Sequence, residues 1–440
     1  MWIILGVLAA VLLVFLALIG AANLFRGPPV GRVIEVDGKP SPFTTRSAGF
    51  PAAVEISVKT NLEPGAAIEV MHDGDVFERL WQDLRDARQS ITIVMYYAGP
   101  GPLADTVASI LKERARSGVP TFYVYDPIGS SELPVSWFDG LREAGVNVAE
   151  FRPLRWYRLH RANHRTHVRS IVVDGAIGYT GGFGFDDQWL GDGRSEDHWR
   201  DVNVRITGPP VRQLQEIFVA HWTEATGHLL VGDLLFTPEQ QPDRARRDAA
   251  ARSRASDTAR VGVMTSPASI GGSMAERMLA LSIATASETL WITSAYFVPD
   301  TDFMRMLCDA AARNVDVRVL TNGRRTDVKL TWHAGRRSYE TLLDGGVRIF
   351  EYRSTVLHSK TLVADGRWSA IGTINIDNRS LSYNEEVCML ALDEQLGSYM
   401  MQVFREDCAS AREVRLETFR KRPTRLRLLE YCGYLLWRWL

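Results

Sequence analysis

Apolar residues along this chain fall into one pattern written twice. Residues 90–97 (SITIVMYY) are a short β-branched and aromatic run. A helical stretch follows at 103–117, then a second apolar run at 121–126 (TFYVYD). The same order returns at 288–297 (ETLWITSAYF), 302–313 and 316–321 (DVRVLT). In each half a short helix then leads through glycine into another strand, at 141–152 (LREAGVNVAEFR) and 342–353 (LLDGGVRIFEYR). Short β-branched runs alternating with helices predict βαβ units and a largely parallel sheet. Two copies in one chain predict an α/β fold of two tandem domains related by a pseudo-two-fold axis.

Both ends depart from this pattern. Residues 2–25 carry no charge and are mostly Ile, Leu, Val, Ala and Phe. About 20 apolar residues span a bilayer as a helix. A signal peptide has a shorter apolar run behind a basic start, and no Lys or Arg precedes this one. Residues 1–25 are therefore expected to be a retained transmembrane helix. Arg26 and Arg32 follow the apolar run, which by the positive-inside tendency puts the catalytic domains in the cytoplasm. At the other end, basic residues including Arg420, Lys421, Arg422, Arg425 and Arg427 precede a stretch rich in Leu, Tyr and Trp at 428–440. That stretch is too short to span. It suits either a helix lying in the headgroup layer or one docked on its own domain.

The expected organisation is a membrane helix (1–25), a linker (26–65), a first domain (66–235), an exposed Arg-rich linker (236–260), a second domain (261–425) and an amphipathic C-terminal helix (426–440). A length of 440 residues agrees with two domains. The net charge of −1 speaks against a disordered tail and against an overall basic coat for nucleic acid. The four cysteines are widely spaced, which speaks against a disulfide scaffold and a cysteine zinc site.

The candidate chemistry lies just after the repeated unit. The second half reads His358-Ser-Lys360 with Asp365 five residues on, then Gly372-Thr373-Ile-Asn375. Residues two apart on a strand share a face, so His358 and Lys360 project together. Asp365, at an odd separation, is better placed to hold a turn. The first half has His167, Arg169 and Asp174 at the same spacing, followed by Gly181-Gly182-Phe-Gly184. A lone His-x-Lys pair is unremarkable, but the repeat of the whole pattern is specific. It resembles the phospholipase D superfamily over about residues 66–425. Residues 163–175, 180–191, 199–204, 372–380 and 384–387 are similar, more narrowly, to bacterial cardiolipin synthases.

The resemblance implies a catalytic set of His167, Arg169, Asp174, His358, Lys360 and Asp365, supported by Gly182, Thr373 and Asn375. It also implies that an acid from the opposite half orients each histidine. Counting along the motifs pairs Asp201 with His358 and Glu386 with His167, with Glu385 as the alternative to Glu386. A phosphohistidine, with His167 as the nucleophile, and no metal or cofactor are implied. Arg169 stands where the motif has Lys, and Gly184 where it has Asn. Arginine keeps the charge and can bind phosphate bidentately, so an active first half is expected rather than a decayed one.

Between Arg152 and Arg169 there are six arginines and three histidines without an acid. Arg161 and Arg165, beside the motif, are candidates for recruiting anionic headgroups; the alternative is a solvated basic loop. His160, His164 and His167 lack a further ligand for zinc. The expected function is a membrane-bound phosphatidyltransferase of the bacterial inner membrane, acting on anionic phospholipids such as phosphatidylglycerol. The alternatives are a hydrolytic phospholipase D, a nuclease, disfavoured by the apolar ends, and a non-catalytic lipid-binding protein. With both half-sites in one chain, no oligomer is required.

Overall fold

A computed structural model of the chain describes residues 29–36, 42–153, 163–236, 243–267 and 272–439, together with residue 6. Apart from residue 6, the expected transmembrane segment (1–25) lies outside the described residues. Among the described residues no helix is long and apolar enough to cross a membrane.

After helix α1 (Phe50–Val58), the first half runs β1 (Ala67–His72), α2 (Asp75–Asp86), β2 (Ile91–Met95), α3 (Pro102–Arg116), β3 (Thr121–Tyr125), α4 (Val135–Glu143), β4 (Asn147–Glu150), β5 (Arg169–Val173), β6 (Ile177–Gly181), β7 (Val202–Thr207) and α5 (Val211–Thr226). After α6 (Asp243–Arg252), the second runs β8 (Arg260–Ser266), α7 (Met274–Thr285), β9 (Thr289–Ser294), α8 (Thr301–Ala312), β10 (Asp316–Asn322), α9 (Lys329–Asp344), β11 (Arg348–Tyr352), β12 (Lys360–Ala364), β13 (Trp368–Gly372), β14 (Glu386–Leu392), α10 (Glu394–Ala409) and β15 (Ala411–Val414). The chain closes with α11 (Thr424–Trp439).

The sheets are mixed rather than largely parallel. Their orders are β1-β7-β6-β5-β2-β3-β4 and β15-β11-β10-β9-β12-β13-β14-β8. Only β2-β3-β4 and β9-β10-β11 run parallel. The motif strands enter antiparallel to β2 and β9 and turn back as tight hairpins, β5–β6 and β12–β13. The sequence periodicity shows the crossover helices but not this reversal. β2 (ITIVM) and β3 (TFYVY) are buried at every position, as continuous apolar strands covered on both faces should be.

One apolar core is shared by the halves. It joins Val94 and Val124 with Val263, Ile371 and Met389, closed by Leu214 and Phe218 of α5 and Met400 and Phe404 of α10. Separate outer cores lie on the far side of each sheet. The seam between the sheets is therefore fixed by buried apolar area, and the motif ends of β5 and β12 meet at it.

Two segments expected to be linkers carry structure. Within 26–65, α1 places Phe50, Val54 and Val58 on one stripe and buries them against the second half; Phe50 meets Trp368 edge-on at 5.2 Å. Within 236–260, α6 lies over β1, with Asp248 Oδ2 3.1 Å from Arg79 and Ala249 buried. Its polar composition hid a helix whose contacts come from distant residues. α11 packs along α9, and its opposite face is exposed.

Candidate active site

The loop before each motif strand crosses to the other half. His167 N donates to Glu385 O at 2.8 Å, and Glu385 N returns a bond to Arg165 O at 2.9 Å. In the mirror-related place, His358 N donates to Arg200 O at 2.8 Å and Arg200 N to Val356 O at 2.9 Å. These backbone exchanges fix each histidine beside the acid-bearing segment of the opposite half. As a result His167 Nδ1 lies 3.0 Å from Glu386 Oε2, and His358 Nδ1 lies 3.0 Å from Asp201 Oδ2. Glu385 points elsewhere, to His221 Nε2 at 3.1 Å and Arg152 at 2.5 Å.

All four members of these pairs are buried, as are Arg169 and Lys360. Arg169 Nη1 sits 3.3 Å from His167 Nε2, and Lys360 Nζ donates to the carbonyl of His358. Burial, then the charges of Arg169 and Lys360, hold His167 well below the usual histidine range. Burial and Lys360 lower His358 to about 4, against the pull of Asp201. Both imidazoles are thus neutral at neutral pH, and the crossed His167–Glu386 and His358–Asp201 contacts make the two halves build one site. Burial lowers Lys360 to about 7, and the charge of Arg169 adds to it.

The orienting acids differ. Burial pushes Glu386 up to about 7 despite hydrogen bonds from Thr373 and Ser380. Burial would raise Asp201 too, but its bonds from His358 and Trp189 and the charge of Lys360 bring it below the usual range. An ionised Asp201 favours a proton on His358, whereas His167 keeps a neutral ring with Nδ1 directed at Glu386 and Nε2 beside Arg169.

The altered glycines of the first half form part of a concerted exchange. In the second half Thr373 Oγ1 donates to Glu386 Oε2, and Asn375 Oδ1 accepts from Tyr296 N at 3.1 Å. In the first half a Cβ on Gly182 would fall 2.3 Å from Asp201 Oδ1, and one on Gly184 2.9 Å from the Trp189 ring. Trp189 occupies the space that an asparagine side chain would need in place of Gly184. Its Nε1 donates to Asp201 Oδ2 at 3.0 Å, supplying the acid with the donor that hydroxyls supply to Glu386. Its ring meets His358 edge-on at 5.3 Å, with Trp199 at 5.2 Å from the same imidazole. Opposite, Tyr96 packs edge-on to His167 at 4.8 Å. Trp189, Trp199 and Tyr96 lie outside the two histidine motifs and were not singled out from the sequence. The signals for the tryptophans were their place in the similar stretches 180–191 and 199–204 and, for Trp189, its position five residues after the Gly-for-Asn change.

Several predicted residues lie away from the histidines. Asp174 and Asp365 terminate β5 and β12 at the ends opposite Arg169 and Lys360, about 16 Å along the strand at ~3.3 Å per residue. Asp174 accepts from the backbone N–H groups of Arg88, Gln89 and Ser90 at 2.7–3.0 Å. Asp365 accepts from those of Ser287, Glu288 and Thr289 at 2.8–3.1 Å. Both have positive φ and anchor turns; they touch no reacting group. Arg165 is not a surface arginine. It is buried with Nε 2.9 Å from Asp126 and its other nitrogens on the carbonyls of Phe151 and Arg152, because a buried guanidinium needs all its donors satisfied. Arg152 is engaged by Glu224 and Glu385. Arg161, like Arg155, Arg158 and His160, lies outside the described residues. Among the described residues no cluster of three or more His, Cys, Asp or Glu side chains is arranged to hold a metal ion.

Known proteins resemble the chain over most of its length. The family description "cardiolipin synthase, PLD-like domain" matches residues 279–408. The chain is 31% identical over 383 residues to the cardiolipin synthase of Halalkalibacterium halodurans, covering 87% of this chain and 72% of that one. It is 32% identical over 388 residues to cardiolipin synthase A of Pseudomonas fluorescens, covering 86% and 77%. The crystal structure of phosphatidylserine synthase from Haemophilus influenzae shares the fold, with a TM-score of 0.65 at 14% identity, covering 89% of this chain and 99% of that one. Identity at the level of the two synthases, over most of each chain, shows that this protein belongs to the cardiolipin synthase family of phospholipase D-superfamily enzymes.

Proposed function

We propose that the chain transfers a phosphatidyl group between lipids through a phosphohistidine. His167, neutral and oriented by Glu386, attacks phosphorus with Nε2. The P–O bond to the departing alcohol breaks, and His358 gives that alcohol a proton. His358 is neutral without substrate because it is buried and because Lys360 and, more weakly, Arg169 lie near it. A phosphodiester anion held by those cations offsets their charge, and ionised Asp201 stabilises the imidazolium. His358 then takes the proton from the hydroxyl of a second lipid, whose oxygen displaces His167. Arg169, Lys360 and Asn375 hold the non-bridging oxygens as charge develops. With phosphatidylglycerol as donor and acceptor, the products are cardiolipin and glycerol. The apolar segment at 1–25 is proposed to anchor the two domains, 66–235 and 261–425, on the cytoplasmic side of the membrane.

The observation that carries this reading is the crossed pairing of two buried histidines with acids of opposite halves, around Arg169 and Lys360. The test is chromatography of the lipids formed when the purified protein is given labelled phosphatidylglycerol. Cardiolipin with free glycerol is expected. Phosphatidic acid instead would make the protein a hydrolase. Turnover unchanged in both His167→Ala and His358→Ala would remove the enzymatic reading altogether.

A further inference from the structure

α11 has two unlike faces. Its inner face is tied to α9. Buried Glu430 accepts from Arg336 Nε at 3.1 Å and from Arg422 Nε at 2.8 Å. At Gly433 the two backbones approach so closely that a Cβ would lie 3.3 Å from Ala334 N. These contacts leave Leu428, Leu429, Tyr431, Leu435 and Leu436 on the outside, each between 40% and 62% exposed. Single exposed leucines need no explanation. Five large apolar side chains along one helix face do, because a contiguous patch marks an interaction surface.

A second observation lies at the start of the same helix. Leu426 forms a wall of a groove of about 640 Å³ lined also by Trp332, Arg324, Arg325, Arg353 and Arg412. Arg325 pairs with Glu196 and Arg412 with Glu351. Arg324 and Arg353 have no acidic partner among the described residues, nor do the nearby Lys421 and Arg425. An apolar helix face beside uncompensated arginines fits a layer that is apolar below and anionic above. A second copy of the chain fits poorly, since a two-fold contact through this face would bring the same cations together.

The position relative to the active site is also informative. α11 runs antiparallel to α9: Arg420 pairs with Asp344, Glu430 with Arg336, and Gly433 lies against Ala334. Its far end therefore lies beside the start of α9. The loop just before α9 carries Asp327, the acceptor for the Tyr296 hydroxyl, and Tyr296 N is bonded to Asn375 in the active site.

We propose that the outer face of α11 and the arginine groove at its start form an interfacial docking surface for a bilayer of anionic phospholipid, bringing the His167–His358 site to headgroup level. The proposal rests on the lipid-substrate reading above, but its test is separable. The exposed Cys432 lies within the apolar stretch. In full-length protein carrying Cys308→Ser and Cys408→Ser, Cys432 is labelled with an environment-sensitive fluorophore. The protein is reconstituted in vesicles of equal parts phosphatidylcholine and phosphatidylglycerol, and in phosphatidylcholine alone. Acyl-chain spin-labelled lipid is expected to quench the probe severalfold more in the anionic vesicles, and Arg324→Glu with Arg353→Glu is expected to abolish the difference. A probe reached only by aqueous iodide in anionic vesicles would overturn the proposal. So would a probe shielded from both quenchers, which would mean that protein covers the face. Turnover of micellar phosphatidylglycerol is measured alongside. Quenching without turnover would leave the docking surface standing and remove the lipid-substrate reading.

Discussion

Trp189→Phe removes one hydrogen-bond donor and keeps most of a buried ring. In the native site Asp201 Oδ2 accepts from both His358 Nδ1 and Trp189 Nε1 at 3.0 Å, while Oδ1 accepts from Val202 N at 2.8 Å. Phenylalanine leaves Oδ2 with the histidine alone. A hydrogen bond to a buried charged group contributes about 1.5–3 kcal/mol. At about 1.4 kcal/mol per factor of ten, kcat/KM for phosphatidylglycerol should fall roughly 10- to 150-fold. Trp189 helps keep the Asp201 carboxyl acidic. Its loss should therefore raise that pKa and move the rising limb of the pH profile to higher pH. Lost packing alone would reduce the folded fraction without moving that limb. The two half-sites suggest a companion experiment. Gly184→Asn alone drives a Cβ to 2.9 Å from the Trp189 ring and 3.0 Å from Tyr97 O. Combined with Trp189→Ser, which imitates Ser380, it should be less impaired than alone. The assay is steady-state transfer from labelled lipid across a pH series. A Trp189→Phe enzyme within twofold of the native rate, with an unmoved limb, would refute the exchange of Asn and hydroxyls for one indole.

The remaining predictions concern charge and turns. Lys360, lowered to about 7 by burial, is cationic below that pH and neutral above it. Phosphate binding should weaken as pH rises through 7, and Lys360→Arg, which stays charged, should displace the falling limb of kcat/KM towards higher pH. Asp365 has a depressed carboxyl because hydrogen bonds from Thr45 and the backbone at Ser287–Thr289 outweigh burial. Its stabilisation is present above the ordinary carboxylate pKa and lost as pH falls through the lowered value. Asp365→Asn should cost about 1.5–3 kcal/mol of stability in denaturant at neutral pH and flatten the acid side of the stability curve. Asn tolerates the positive φ, so kcat per folded molecule should stay near native.

Much of the site was legible because its elements are local. His-x-Lys spacing gives a shared strand face, and the repeat doubles the signal. The resemblance and the count along the two motifs pair Asp201 with His358 but leave Glu386 and Glu385 open for His167; the choice depends on Glu385 being drawn to His221 and Arg152. What was not legible depends on contacts distant in sequence. Arg165 reads as one of six arginines in an acid-free stretch, yet its partner Asp126 lies 39 residues earlier. α1 reads as linker because its stripe of Phe50, Val54 and Val58 finds its apolar partners in the second half. Gly184 reads as a lost ligand because the compensating residue, Trp189, sits five positions on with different chemistry. The motif aspartates illustrate the converse: Asp365 was readable as a turn anchor from its odd separation, before any fold was known.

The central claim is covalent transfer through His167. Protein incubated briefly with phosphatidylglycerol labelled in the phosphatidyl group, quenched and digested, should yield one acid-labile, base-stable phosphatidyl adduct on the peptide containing His167. His167→Ala should abolish the adduct, and His358→Ala, which cannot protonate the departing alcohol, should slow its formation without moving it to another peptide. An adduct on the His358 peptide, or transfer that proceeds in His167→Ala, would contradict the account.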